Sequence, residues 1–178
     1  MSESDYQQKI AARFGRFDRD GDGVVTEADF KELSREILAE YGLSPNSAKG
    51  SALTAGTQRL WEGFVDIADD GDGQITKQEF VQAASAHLRN NREAFSRMVE
   101  PWAKAVIAVA DDDDDGTVTI DEWARMLCAM RAAPEKARAK AVALDTDGNG
   151  SISLDEILNS AVRLYVTDEP FPDLAPAR

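Results

Sequence analysis

Oxygen-bearing side chains recur at a fixed spacing in four short segments of this chain. The segments are DRDGDGVVTEAD at 18–29, ADDGDGQITKQE at 68–79, DDDDDGTVTIDE at 111–122 and DTDGNGSISLDE at 145–156, and we number them loops 1 to 4. Calcium takes about 6–8 oxygen ligands, and a twelve-residue loop supplies them from positions 1, 3, 5, 7, 9 and 12. Position 6 needs a positive φ, and all four segments have glycine there. The spacing therefore predicts four candidate calcium loops.

Loops 3 and 4 have a complete set of ligand types. In loop 3 the expected ligands are Asp111, Asp113, Asp115, the carbonyl of Thr117, Thr119 through water, and bidentate Glu122. In loop 4 they are Asp145, Asp147, Asn149, the carbonyl of Ser151, Ser153 and bidentate Glu156. Asp112 and Asp114 lie between the ligands of loop 3, and we expect them to strengthen the local negative potential.

Loop 1 departs from the pattern at its last position. Its expected ligands are Asp18, Asp20, Asp22, the carbonyl of Val24, Thr26 and Asp29. Asp29 is one methylene shorter than the usual glutamate, so it is expected to offer one oxygen. Fewer ligands favour the sixfold coordination of magnesium. We therefore expect calcium at loop 1, with Mg²⁺ as a competitor.

Loop 2 departs from the pattern at its first position, where Ala68 replaces the aspartate. Its remaining candidate ligands are Asp70, Asp72, the carbonyl of Gln74, Thr76 and Glu79. A frame starting at Asp69 would misplace Gly73, so Asp69 is not counted as a ligand. Loop 2 is predicted to be weak or empty. Three bound calcium ions are expected, and a fourth is left open.

The segments that flank the loops repeat as well. Apolar residues three and four positions apart precede each loop and predict an entering helix. One apolar residue follows each loop at a shared position and begins an exiting helix: Phe30, Phe80, Trp123 and Ile157. The apolar residues at loop position 8 should pair across short antiparallel bridges, Val25 with Ile75 and Val118 with Ile152. The fold class is thus all-α, with four helix–loop–helix units in two pairs packed into one compact globule.

These loops and flanks resemble the EF-hand superfamily over nearly the whole chain. The long first-pair insertion, the Asp-terminated first loop, the degenerate second loop and two sound final loops are similar to the sarcoplasmic calcium-binding proteins and their bacterial calerythrin-like relatives. The resemblance implies a compact four-EF-hand fold, three functional sites and a role in calcium buffering or transport.

The chain divides by its repeats into three parts. Residues 1–90 hold the first pair, residues 91–165 hold the second pair, and residues 166–178 form a tail. The insertion YGLSPNSAKGSALT at 41–54 is predicted to supply turns within the first pair. Pro101 is predicted to kink a helix or to mark the join between two shorter ones. The tail is predicted to be either disordered or a cover over the core, and Phe171 and Leu174 favour the cover.

Composition excludes several classes of function. The chain has 20 basic and 33 acidic residues, a net charge of −13, and a single cysteine, Cys128. This charge repels nucleic acid and anionic membranes. A lone cysteine excludes an internal disulfide framework. The polar N-terminus lacks an apolar signal segment, Ser2 replaces the glycine that myristoylation needs, and no apolar run reaches membrane-spanning length. We expect a cytoplasmic monomer whose partners are calcium ions.

Three functions are compatible with the loops. The first is a cytosolic calcium buffer or signal modulator. The second is a calmodulin-like sensor that exposes an apolar surface and binds a target protein. Such surfaces are rich in methionine, whereas the exiting helices here carry stiff aromatic residues. The third is an enzyme or chromophore-binding photoprotein, which the single histidine, His87, disfavours. The sequence favours the buffer or modulator and predicts no enzymatic activity.

Overall fold

A computed structural model describes residues 2–169 of the chain. It contains eight α-helices in this range, in the order α1 (Glu3–Ala11), α2 (Glu27–Glu40), α3 (Ala48–Ala68), α4 (Lys77–Ala83), α5 (Arg92–Ala110), α6 (Ile120–Ala129), α7 (Pro134–Leu144) and α8 (Leu154–Tyr165). Two short strands, β1 (Val24–Val25) and β2 (Ile75–Thr76), lie in loops 1 and 2. The all-α class with small β-bridges is confirmed. No helix in the described range is long and apolar enough to cross a membrane.

The entering helix of loop 1 is interrupted. α1 ends at Ala11, and a separate 3₁₀ turn covers Phe14–Arg16 before the loop begins. The predicted apolar stripe is still buried, because Ile10 and Phe14 are 0% and 5% exposed. The 3₁₀ turn therefore keeps the apolar stripe on the core side although the α-helix has ended.

The predicted pairing of the loops is confirmed in both pairs. Val25 lies opposite Ile75 in the antiparallel ribbon of β1 and β2. In the second pair Thr119 lies opposite Ser151, and the N–H of Ile152 donates to the carbonyl of Val118 at 2.7 Å. Each pair thus joins two loops through their eighth residues.

A single hydrophobic core runs through both pairs. It includes the first apolar residue of every exiting helix, since Phe30, Phe80, Trp123 and Ile157 are all buried. Rings from both pairs meet in it, because Phe17 lies 5.1 Å from Phe64 and 6.4 Å from Tyr165 between ring centroids. The division of the chain into a first pair at 1–90 and a second pair at 91–165 stays a prediction.

The two halves approach each other most closely where α3 crosses α5. A methyl group built on Gly56 would lie 3.0 Å from the carbonyl oxygen of Pro101 and 3.1 Å from the Cα of Trp102. α5 runs without a break through Pro101, so the prediction of a join between two shorter helices is wrong. Tight packing against α3 holds this segment helical although proline removes one backbone hydrogen bond.

The insertion of the first pair is only partly a turn. The turn occupies residues 41–47, and the rest of the predicted segment forms the first two turns of α3. Ser47 caps this helix by accepting the N–H of Gly50 at 3.1 Å. The predicted segment thus supplies the turn with its first seven residues, and the cap at Ser47 starts the helix at Ala48. Phe171 and Leu174 lie outside the described residues.

Candidate metal centre

The structure gathers carboxylates into one group per loop; these groups include the unpredicted Asp69 and leave out the predicted ligands Asp29, Glu79 and Asp115. In each group three carboxylates have oxygen atoms within 4.8 Å of one another: Asp18, Asp20 and Asp22 in loop 1, Asp69, Asp70 and Asp72 in loop 2, Asp111, Asp113 and Glu122 in loop 3, and Asp145, Asp147 and Glu156 in loop 4. Loops 3 and 4 therefore bring the twelfth residue to the first and third, as a bidentate ligand requires.

The first residue of the loop bends the chain around the site. In loop 3 the carboxylate of Asp111 accepts the N–H of Gly116 at 3.1 Å. Asp145 accepts the N–H of Gly150 at 3.0 Å, and Asp18 accepts that of Gly23. Gly116 has φ of +84°, a conformation that other residues adopt only with strain. Glycine at position 6 lets the backbone fold back onto the first ligand.

The fifth residue orients the backbone of the seventh in every loop. Asp115 accepts the N–H of Thr117 at 2.8 Å, and Asn149 accepts that of Ser151 at 2.7 Å. The same bond joins Asp22 to Val24 at 3.0 Å and Asp72 to Gln74 at 2.8 Å. These bonds fix the peptide planes that carry the predicted carbonyl ligands.

The twelfth residue clamps both ends of its loop. One oxygen of Glu122 accepts the N–H of Asp112 at 3.1 Å, and the other accepts the N–H and hydroxyl of Thr119 at 2.8 and 2.7 Å. In loop 4, Glu156 makes the same contacts with Thr146 and Ser153. The ninth residue is the N-cap of the exiting helix, so a capping box and the metal loop share one carboxylate.

These hydrogen bonds keep the clamping glutamates ionised. Burial acts to raise the pKa of Glu156, but the hydrogen bonds from Ser153 and Thr146 outweigh it and lower the pKa to about 2. Burial likewise opposes the bonds from Thr119 and Asp112 to Glu122, whose pKa lies below its ordinary value. An ionised carboxylate is the form that binds a cation.

Asp29 takes the clamping place in loop 1 despite its shorter side chain. Its two oxygens accept the N–H of Arg19 at 2.7 Å and the N–H of Thr26 at 2.8 Å, and the residue is 5% exposed. The close carboxylate group of loop 1 nevertheless consists of Asp18, Asp20 and Asp22. The shorter side chain of Asp29 keeps both hydrogen bonds of the clamp. Its carboxylate therefore stays outside the close group formed by the other three.

In loop 2 the structure gives a role to a residue that the sequence reasoning had rejected. α3 continues one residue further than its counterparts, so that Asp69 is its C-cap, whereas Asp111 and Asp145 cap α5 and α7. Asp69 also accepts the N–H of Gly73 at 3.2 Å, as the first aspartate does elsewhere. Loop 2 keeps its frame, because Thr76 and Glu79 form the same capping box as the ninth and twelfth residues elsewhere. Asp69 makes the backbone contact of the missing first aspartate from the second position of the loop.

The clamp of loop 2 is the weakest of the four. One oxygen of Glu79 accepts the N–H and hydroxyl of Thr76 at 2.8 and 2.7 Å. The N–H of Asp69, which would correspond to the second contact, donates instead to the carbonyl of Val65 at 3.2 Å. Glu79 therefore lacks the bond that draws its counterparts across the loop.

The two additional aspartates of loop 3 are paired with cations. Asp112 lies 2.6 Å from the guanidinium of Arg125, and Asp114 lies 2.6 Å from the ammonium of Lys49. Their expected contribution to the negative potential is offset by these partners.

The donor set fits calcium. Every candidate ligand is a carboxylate, amide, hydroxyl or backbone oxygen, which suits a hard divalent cation rather than zinc or copper. Bound calcium would offset the mutual repulsion of the clustered carboxylates and so stabilise the folded loops.

Comparison with known protein families agrees with this geometry. The EF-hand family model matches residues 10–34, 69–83, 103–127 and 142–159. Calerythrin from Saccharopolyspora erythraea is 30% identical over 165 residues, covering 92% of this chain and 93% of calerythrin. The chain belongs to the EF-hand family of calcium-binding proteins. Within that family it is calerythrin-like.

Two further relatives support the assignment of this EF-hand protein. The alpha chain of a sarcoplasmic calcium-binding protein from Penaeus vannamei is 31% identical over 137 residues, covering 72% of this chain and 67% of that protein. A solved structure concerns prokaryotic calcium-mediated regulation by a Streptomyces coelicolor calcium-binding protein. It is 42% identical, with a TM-score of 0.84 over 90% of this chain and 97% of its own.

Proposed function

We propose that the chain binds calcium at loops 1, 3 and 4 and acts as a cytosolic calcium buffer or signal modulator without enzymatic activity. The observation that carries this proposal is the continuous core of the exiting helices. Phe30 packs on Trp61 at 5.4 Å, and Phe64 stacks on Phe80 at 5.6 Å between ring centroids. These four rings lie in the first pair, and the aromatic cluster continues from them to Tyr165 of the second pair. A core that joins the two pairs in this way favours a molecule that stays closed when calcium binds.

The methionines also support a buffer or modulator whose core stays closed. Met126 is fully buried. Met98 packs over Gly63, where an added methyl group would lie 2.5 Å from the methionine Cγ. A sensor uses flexible methionines to line an exposed groove. Here these two side chains are used in packing the core and the contact between α3 and α5.

A modulating role draws support from the relatives. The Streptomyces coelicolor protein is described in terms of calcium-mediated regulation, which fits a protein whose metal occupancy changes a cellular process. A monomer in the cytoplasm that holds several ions needs no further partner for buffering.

Occupancy is proposed to differ among the loops. Loops 3 and 4 have a glutamate clamp and are the strongest sites. Loop 1 binds calcium with poorer discrimination against magnesium, since Asp29 is held at the clamp by Arg19 and Thr26. Loop 2 is the weakest site, with Asp69 in place of the missing first ligand. A fourth ion thus binds only at high calcium concentration.

The sensor function is retained as the second candidate because of one surface feature. A groove between α2 and α3 has a volume of about 510 Å³ and is lined by apolar residues that include Phe30, Leu38, Leu43 and Pro45. An apolar groove of this kind can receive a helix of a target protein.

Binding of a hydrophobic dye to the metal-free, magnesium-loaded and calcium-loaded protein separates the two functions. The magnesium form is the reference, since a molten metal-free state would bind dye by itself. Dye binding in calcium that equals binding in magnesium supports the buffer or modulator. Dye binding that rises in calcium above the magnesium level contradicts it and supports the sensor.

A further inference from the structure

Two residues adopt a left-handed backbone where related positions of this chain have glycine. Asp114 has φ of 59° at the fourth position of loop 3, where the other loops have Gly21, Gly71 and Gly148. Arg131 has φ of 65° at the end of α6, where the equivalent residue after α2 is Gly42. Non-glycine residues are strained in this region. Both side chains form an ion pair with a residue of the first pair, Asp114 with Lys49 and Arg131 with Glu36.

Arg131 reaches from the second pair to loop 1. Its guanidinium donates to the carbonyl of Arg19 at 2.8 Å and is paired with Glu36, which also binds the guanidinium of Arg19. Arg19 is the second residue of loop 1, and its N–H donates to the clamping carboxylate of Asp29 at 2.7 Å. Arg131 thus holds the carbonyl of the residue whose N–H meets the clamp of loop 1.

Lys49 reaches from the first pair to loop 3. This residue lies in the first turn of α3, and its ammonium donates to the carbonyl of Asp111 at 2.6 Å. It also pairs with Asp114 at 2.6 Å. Because the side chain of Asp114 is 75% exposed, that ion pair contributes little by itself. The partly buried bond to the first residue of loop 3 carries the connection.

We propose that Lys49 and Arg131 are positioning residues that couple loop 1 to loop 3. These loops belong to different pairs, so the connection is separate from the β-bridges that join loop 1 to loop 2 and loop 3 to loop 4. The inference rests on the proposed binding of calcium at loops 1 and 3. It gives loop 1, whose bridge partner is the weak loop 2, a second partner with a complete ligand set.

The coupling follows from the helices that carry the two contacts. Arg131 follows α6, the exiting helix of loop 3, and contacts loop 1, whereas Lys49 follows α2, the exiting helix of loop 1, by the turn at 41–47 and contacts loop 3. Calcium at loop 1 fixes the peptide of Arg19, and so the acceptor of Arg131 and the position of Glu36. Calcium at loop 3 fixes Asp111, and so the acceptor of Lys49. Each ion therefore favours the contacts that preorganise the other loop. By linkage the effect on affinity is the same in both directions.

A double-mutant cycle tests the coupling. Calcium binding is followed at each loop by the amide signals of Gly23 and Gly116, which donate to the first aspartates of their own loops. Asp18→Ala disables loop 1. In the wild type this substitution is expected to weaken calcium binding at loop 3 by at least about fivefold. In the K49M/R131M background the same substitution is expected to change it less than about twofold.

Matched controls separate the connection from charge and folding. Lys104 and Arg97 form ion pairs within α5, with Glu100 and Glu93. K104M/R97M removes the same charge and should leave the fivefold effect intact. Arg131→Gly is a second variant that relieves backbone strain, so it folds, and it should reduce the effect on its own.

The outcomes are distinct. An undiminished effect of Asp18→Ala in both K49M/R131M and Arg131→Gly overturns the coupling. A Gly23 or Gly116 signal that never responds to calcium contradicts the proposed sites instead. In chelator, hydrogen exchange of residues 111–116 should be faster in K49M/R131M than in K104M/R97M. Equal exchange rates would also count against the role of Lys49.

Discussion

The carboxylate of Asp69 accepts the N–H of Gly73 at 3.2 Å, the contact that the first aspartate makes with the sixth residue in the other three loops. It does so over four residues rather than five, because α3 extends through Ala68. In the second loop the next residue along the chain thus takes over this backbone contact of the first aspartate.

Asp69→Ala should abolish the weak fourth site. At millimolar calcium the wild type is expected to bind one more ion than the variant, because the substitution removes the carboxylate that groups with Asp70 and Asp72. Equilibrium dialysis measures the difference. Asp66→Ala, which removes an exposed acid of α3 outside the loop, is the control and should bind as many ions as the wild type. Equal binding by both variants would show that Asp69 is not a ligand.

Glu122→Gln should abolish calcium binding at loop 3 and weaken loop 4. The amide cannot supply a bidentate carboxylate, and the bond between Ile152 and Val118 transmits the loss of order to loop 4. A reduction of about fivefold at loop 4 is expected from the Gly150 signal. Asp121→Asn changes an exposed neighbour that pairs with Arg138 at 3.0 Å, and it should leave both loops unchanged. Unaltered affinity at loop 4 in Glu122→Gln would exclude coupling through the bridge.

Asp29→Glu should raise the preference of loop 1 for calcium over magnesium. The longer side chain can keep its bonds to Arg19 and Thr26 while its oxygens approach the ligand group of the loop. A change of about tenfold in the ratio of the two affinities, or about 1.4 kcal/mol, is expected. Competition titrations followed at Gly23 give the ratio. Asp155→Glu is the same change at an exposed non-ligand position, and an equal shift there would reject the explanation.

Gly56→Ala should destabilise the contact between the two halves. The new methyl group would meet backbone atoms of Pro101 and Trp102 at 3.0 and 3.1 Å, and neither can move aside as a flexible side chain would. The free energy of unfolding should fall by about 1–3 kcal/mol in urea titrations. Gly15→Ala has no atom within 4 Å of its new methyl group and should change stability by less than about 0.5 kcal/mol. Equal effects would mean that the crossing of α3 and α5 is not tightly packed.

All three tyrosines should resist ionisation in the folded protein. Burial raises the pKa of Tyr41 to about 12 and also raises the pKa of Tyr6 and Tyr165. A raised pKa in the folded state gives stability that is present below the ordinary value of 10 and is lost as the pH rises through about 12. Ultraviolet titration should show phenolate near pH 10 in denaturant but not in buffer. Tyr41→Phe should remove one third of the signal, and native ionisation near pH 10 would contradict the burial.

Much of this fold could be predicted from sequence because spacing alone determines it. The glycines at position 6 and the apolar residues at position 8 place each loop and its bridge, and the pairing of Val25 with Ile75 follows directly. The end of α3 could not be predicted in this way. The helix extends through Ala68 because the N–H of Asp69 donates to the carbonyl of Val65. No residue type near this position predicts that hydrogen bond.

The contacts between the halves were equally hidden in the sequence. Lys49 and Arg131 are ordinary surface cations until the fold brings them to loops 62 and 112 residues away. For Arg131 the sequence offered one indication. The exiting helix of loop 1 is followed by Gly42, whereas the exiting helix of loop 3 has Arg131 at the equivalent position, where a positive φ is unfavourable. Asp114 offered a similar indication, because the other three loops have glycine at the fourth position.

The hydroxyl of Tyr6 donates to the carbonyl of Tyr165 at 2.6 Å, and Lys9 donates to the carbonyl of Thr167 at 2.6 Å. Among the described residues, the first helix is therefore seated against the end of the last one. Because α1 leaves the ribosome long before α8, the chain can form these contacts only after α8 has been synthesised. A nascent chain whose loop 1 has already emerged therefore still lacks the contacts that hold α1 in place.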